Sequence, residues 1–150
     1  MGIVFGLIVT LGVASAGAED WAIMASSRDF TTAVDLSSVA GPPSATRGWT
    51  LRVYRPRQEP TGIDYALIQR EFDCQKGTTR IIASVGYQDD GTVVASSRTP
   101  GSADSVVPSS MAAVEMRAVC EGISDEVRVG DVPAALSLIR LLQEHGDTEN

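Results

Sequence analysis

Only two cysteines occur in this chain, Cys74 and Cys120, and they follow an apolar N-terminus with no charged side chain before Glu19. Together these features constrain the fold more than any other part of the sequence. Ile3 to Val13 is a short apolar core, too short to span a bilayer. Ala14-Ser15-Ala16 and Ala16-Gly17-Ala18 both fit the small-x-small cleavage pattern of a signal peptide. No Lys or Arg precedes the core, a departure from the usual charged start. The competing reading is a buried N-terminal helix or strand, but the run has no polar face to turn to water. Export places the thiols in an oxidising compartment, so one disulfide is expected, tying a strand end to a helix end. The rival readings are two free buried thiols or a redox pair, and the 46-residue separation does not resemble a CxxC redox motif. A bridge across such a loop is worth about 4 kcal/mol by chain entropy.

Removal of residues 1–18 as a signal peptide leaves roughly 130 residues, the size of one domain with a single core. No lipid-attachment cysteine follows the apolar core, and no second long apolar run exists, so a soluble mature form is expected. The formal net charge is −7, and Lys76 is the only Lys among twelve basic residues. That balance argues against general nucleic-acid binding, which needs many cations on one face. Charge is uneven: Arg47 to Arg80 holds seven basic residues against four acidic, and Glu121 to Asn150 holds seven acidic against two basic.

Strand patterns dominate the first two-thirds of the mature chain. Trp21 to Ala25 and Phe30 to Leu36 read as a hairpin turning through Ser26 to Asp29. Gly41-Pro42-Pro43-Ser44 is a loop. Trp49, Leu51 and Val53 alternate with Thr50, Arg52 and Tyr54, the signature of a two-faced strand, and Pro56 and Pro60 bracket a loop after it. Tyr65 to Cys74 is the next strand, with Arg70 the odd member of a face made by Ala66, Ile68, Phe72 and Cys74. Thr78 to Tyr87 follows, with Ile81, Ala83, Val85 and Tyr87 expected on one face, and Asp89-Asp90-Gly91 turns it into Thr92 to Ser97. After a loop, Pro108-Ser109-Ser110 opens a helix that ends at Cys120 and Gly122. Asp131 and Pro133 start a second helix, with Leu138, Leu141 and Leu142 on one stripe and Gly146 at its end. Ile123 to Val129 reads as a short extended segment. The expected class is α+β: about six antiparallel strands, a helix packed on one face and tied by the disulfide, and an additional C-terminal helix.

The chemistry-bearing residues are few. The only His, His145, stands near a helix end, and the two cysteines are expected in a disulfide, so no zinc site can be assembled. Asp89, Asp90 and Asp104 lack the spacing of a calcium loop and read as turn residues. No Gly-x-Ser-x-Gly occurs. No metal, no cofactor and no enzymatic activity are expected. What remains is a basic strand with an aromatic: Arg52, Tyr54, Arg55 and Arg57, with Arg47 nearby. These are the candidate partner-binding residues, suited to an acidic protein segment or glycan. The bland alternative is an edge strand guarded by charge against sheet-to-sheet pairing. If they bind, reversing Arg52 and Arg55 to Glu weakens capture and leaves the melting temperature nearly unchanged.

Several pieces in order carry a resemblance: the aromatic-led strand at Trp21, the segment Val34-Asp35-Leu36-Ser37-Ser38-Val39, Trp49 opening a long strand, Glu71-Phe72-Asp73-Cys74, and a Pro-Ser helix running into Ala118-Val119-Cys120. The chain resembles the surface-adhesin protein E-like family of Gram-negative bacteria from about Trp21 to Glu121. The resemblance implies an antiparallel sheet with one helix fastened to it by a disulfide, and an adhesive role at the cell surface toward host or matrix components. The alternative is a periplasmic accessory or structural protein of the envelope. The expected organisation is a signal peptide over 1–18, an adhesin E-like domain over 19–122, a helical extension over 123–146 and a disordered tail over 147–150. The helix from Asp131 to His145 lies outside the family pattern.

Overall fold

The computed structural model describes residues 18–122 and 126–146. The expected signal peptide, apart from Ala18, and the expected disordered tail lie outside the described residues. The elements run β1 (Trp21–Ser26), β2 (Phe30–Ala40), β3 (Thr46–Gln58), β4 (Ile63–Asp73), β5 (Thr78–Tyr87), β6 (Val93–Ser97), β7 (Asp104–Ser105), α1 (Met111–Glu121), β8 (Arg128–Val129) and α2 (Val132–Gly146). The strands form one sheet in the order β6-β5-β4-β3-β2-β1-β8, with β7 added against the start of β5. Every described pairing is antiparallel. The α+β class and the disulfide-tied helix agree with the sequence reading. The sheet has eight strands rather than about six. The two further strands are each two residues long: β8 lies at the end of the extended segment expected up to Val129, and β7 is too short to leave an alternation to read.

Alternation along the strands divides the core into two layers. Ala22, Met24, Val34 and Phe72 face α1 and bury its Ala118 and Val119. Trp21, Ile23, Ala33, Leu51, Val53 and Tyr65 face the other way and bury Ala135 and Ile139 of α2. The two helices therefore cover opposite faces. Each fully buried aliphatic or aromatic side chain contributes about 1.5–3 kcal/mol. Leu51, Val34, Val53, Phe72 and Ile139 are all buried to this degree, and Ile139 makes α2 part of the packed core.

Both helices start as their sequences direct. The Ser110 hydroxyl accepts the Ala113 N–H at 3.2 Å, and the Asp131 carboxylate accepts the Ala134 N–H at 2.8 Å. Gly122 closes α1 at φ 67°, its N–H bonded to the Ala118 carbonyl. Gly91 takes φ 85° in the turn between β5 and β6, a value a side chain rarely tolerates.

Four local expectations need correction. The stripe expected at Leu138, Leu141 and Leu142 is not the buried face of α2: Ala135, Ile139 and Gln143 are buried, while Leu141 and Leu142 are exposed. β3 does not stop before Pro56 but continues to Gln58. The β3–β4 register shifts between Val53 and Gln58, so the missing N–H of Pro56 falls in an irregularity rather than in the ladder. β2 continues past Leu36 to Ala40, across a register shift after Asp35. There the Asp35 carboxylate accepts the Ser37 N–H and hydroxyl, and the Ser38 hydroxyl accepts the Trp49 N–H, replacing ladder bonds with side-chain bonds. Finally, Ile81 does not share a face with Ala83, Val85 and Tyr87. A bulge pairs Gln69 with Ala83 but Arg70 with Ile81, and one extra residue flips every side chain beyond it.

Candidate functional site

The basic strand lies in the middle of the sheet, between β2 and β4. It is not an edge, so its charges are not guards against sheet-to-sheet pairing. Its side chains also do not form one patch, because pleating and the register shift send them to different partners.

Arg52 and Tyr54 project onto the α1 side. Directly across from Tyr54 is Phe30 of β2. The Arg52 guanidinium stacks over the Phe30 ring, 4.3 Å from its centroid. Tyr54 meets the same ring edge-on, with centroids 6.2 Å apart. Deeper on that face, Glu115 of α1 is completely buried. The Thr32 hydroxyl donates to its Oε1 at 2.6 Å. Arg52 Nη2 stands 3.6 Å from Oε1, and Arg70 Nε stands 3.4 Å from Oε2. Arg52 Nε, Arg70 Nε and Glu115 Oε2 have no hydrogen-bond partner among the described residues, so this triad holds chiefly by charge. Burial pulls the Arg70 guanidinium below its ordinary pKa, and Glu115 opposes that pull.

Arg55 turns to the α2 side, where its guanidinium donates to the backbone carbonyl of Gln143. Arg57 makes a bidentate pair with Asp64 of β4, at 2.8 and 2.7 Å. The Asp64 carboxylate also accepts the Asp89 N–H at 2.9 Å. The Arg57 hydrogen bond, and then that N–H, hold Asp64 below the ordinary aspartate range despite its burial. Glu71 is held low in the same way, first by Arg47 and then by Arg80. Both carboxylates have native pKa values below their unfolded ones. Their stabilisation is complete above the unfolded carboxylate range and is lost as pH falls through the lower native values. Thermal melts taken between neutral pH and strong acid should therefore decline on the acid side, and Asp64→Asn should flatten part of that decline.

Arg52, Tyr54 and Arg55 still meet at one place. With Asp29, Phe30, Pro56 and Gln58 they line a shallow depression of about 320 Å³ at the far end of β3. Arg57 stands outside it, but its side chain remains 45% exposed and keeps N–H groups beyond the two that Asp64 accepts. The arrangement can offer an aromatic face and guanidinium donors to a partner. Among the described residues, no three His, Cys, Asp or Glu side chains gather in a metal-binding group.

Two residues of this region carry no motif of their own in the sequence. Phe30 read only as a strand start. Glu115 stands between the apolar residues Val114 and Ala118 of α1. The available signal was the pairing of two misfits: a carboxylate on an apolar helix face and Arg70 on an apolar strand face.

Cys74 and Cys120 are joined, with Cα atoms 5.8 Å apart, and bind the end of β4 to the last turn of α1. The unit so clamped is also the unit that matches a known family. Residues 21–121 match the model of the surface-adhesin protein E family. The chain belongs to this family. The matched span contains β1 to β7, α1 and both cysteines, and it stops before β8 and α2. No curated protein and no solved structure matches the chain. No helix among the described residues is long and apolar enough to cross a membrane.

Proposed function

We propose that this member of the family is an exported, non-enzymatic binding domain that acts in adhesion. The observation that carries the reading is the family match from β1 through α1, the unit that the disulfide clamps. The apolar leader over 1–18 supports export, and a disulfide suits an oxidising compartment. Within the domain, the depression lined by Arg52, Tyr54 and Arg55, with Arg57 beside it, suits an acidic protein segment or glycan at the surface of a host or matrix. Arg52 shares its charge with Glu115, Arg57 with Asp64, and Arg55 donates to Gln143, so the reading relies most on the Tyr54 ring and the exposed half of Arg57. In the alternative reading, the domain stays in the periplasm as an accessory of the envelope.

Cell fractionation combined with an adherence assay separates the two. Under the adhesive reading, the protein is reached by antibody on intact cells, a deletion strain adheres less to immobilised matrix protein, and the purified domain competes. Protein confined to soluble periplasm, with adherence unchanged by deletion, overturns it.

A further inference from the structure

We propose that the open half of the α2-side sheet face binds a glycan chain carrying uronic acids, with one sugar ring against Trp49 and its carboxylate on Arg98. This goes beyond the adhesive reading at the end of β3 and does not rest on it. α2 packs chiefly over β1 and β3, where Ala135 and Ile139 are buried. The same face continues beyond α2 onto β4, β5 and β6. Register sets its residues side by side there: Trp49 pairs with Gln69, Gln69 with Ala83, and Val85 with Ser96. With Arg98, just past the end of β6, these residues line a depression of about 420 Å³. The depression made by Arg52, Tyr54 and Arg55 shares no residue with it.

The lining has the chemistry of a sugar site. A sugar ring is amphipathic, with C–H groups on its faces and hydroxyls around its rim. A site for it needs an apolar floor and a few placed polar groups. Ala83, Val85 and the half-buried Trp49 indole supply the floor. The Trp49 backbone N–H is spent on Ser38. Among the described residues, no hydrogen bond engages its ring N–H, the Gln69 amide or the Ser96 hydroxyl, and no ion pair engages Arg98. The rim therefore offers donors and acceptors for hydroxyls, and a guanidinium that matches a carboxylate bidentately. The next positions on the same face, two residues along each strand, are Arg47 and Glu71, with Arg80 opposite Glu71. Arg47 and Arg80 share that one carboxylate and are 52% and 40% exposed, so positive charge is in excess there too. On a chain of net charge −7 this local excess runs against the overall balance and selects an anionic partner. A glycan with a carboxylate on alternate sugars meets Arg98 and then the Arg47 and Arg80 pair, whereas a neutral glycan leaves both unused.

Titration with a hyaluronan hexasaccharide, followed by calorimetry and tryptophan fluorescence, tests the site, with maltohexaose as the neutral control. Trp21 is 2% exposed, so a change in emission on binding reports Trp49. The wild type should bind the hexasaccharide with a change in emission, less tightly as salt is raised, and should not bind maltohexaose. Arg98→Gln should weaken binding about tenfold or more, the loss of one charge-assisted contact. Its melting temperature should stay at the wild-type value, because the side chain is exposed. Trp49→Phe should abolish the emission change and weaken the binding read by calorimetry. No binding at millimolar hexasaccharide, equal binding of maltohexaose, or wild-type affinity in Arg98→Gln each overturns the proposal. Binding that Tyr54→Ala removes and Arg98→Gln leaves intact places the glycan at the end of β3 and overturns it equally.

Discussion

Replacing Cys74 and Cys120 together with Ala is expected to lower the unfolding free energy by about 2–4 kcal/mol. The bond closes a 46-residue separation, and most of its effect comes from restricting the unfolded chain. A single domain is stable by only about 5–15 kcal/mol, so this is a large fraction. The native side adds a reason of its own. α1 is 11 residues long, and an isolated helix of about that length is marginal in water. It persists because it is fastened to the sheet. Denaturant titration of the double variant beside the oxidised protein reads the loss directly. Equal midpoints would mean the bond is ornamental.

Glu115→Ala should cost about 3–5 kcal/mol, the usual loss when one partner of a buried charge group is removed. The carboxylate sits at 0% exposure between α1 and the sheet, and its deletion leaves Arg70 buried without a counter-charge. The same reasoning revises the expectation for the basic strand. Arg52→Glu brings a second carboxylate against Glu115 and removes the cation from Phe30, so it should lower the melting temperature markedly. Arg57→Ala breaks a pair whose guanidinium is half in solvent and leaves the buried Asp64 carboxylate its bond from the Asp89 N–H, so its loss should be the smallest of the three. Melting temperatures of the three variants should therefore rank Arg57→Ala well above the other two. An unchanged melt for Glu115→Ala would contradict the role given to the triad.

Much of this arrangement was legible in the sequence because local chemistry and tertiary structure agree there. Trp49, Leu51 and Val53 alternate and do face one layer. Ser110, Asp131, Gly91 and Gly122 carry residue types that only a few backbone geometries reward, and each takes the expected one. The disulfide followed from the expectation of export and from two cysteines placed at element ends. The misses have a common cause, which is dependence on a distant strand. The Ile81 face failed because the bulge opposite Gln69 and Arg70 leaves no trace in the composition of β5. The course of β3 past Pro56 depended on a register shift against β4. The basic strand read as one patch because Arg52, Tyr54, Arg55 and Arg57 are close in sequence. Their partners Glu115, Phe30, Gln143 and Asp64 come from four other elements.

α1 is held to the sheet at two independent points, a covalent bond at its end and a buried carboxylate at its middle. Amide hydrogen exchange along Met111–Glu121 tests it most directly, in wild type, in the Cys74→Ala/Cys120→Ala protein, and in that protein with Glu115→Ala added. Strong protection is expected in the first, reduced but measurable protection in the second, and exchange near the rate of an unstructured peptide in the third. Full loss of protection in the second would leave the carboxylate no anchoring role, and undiminished protection in the third would contradict both anchors.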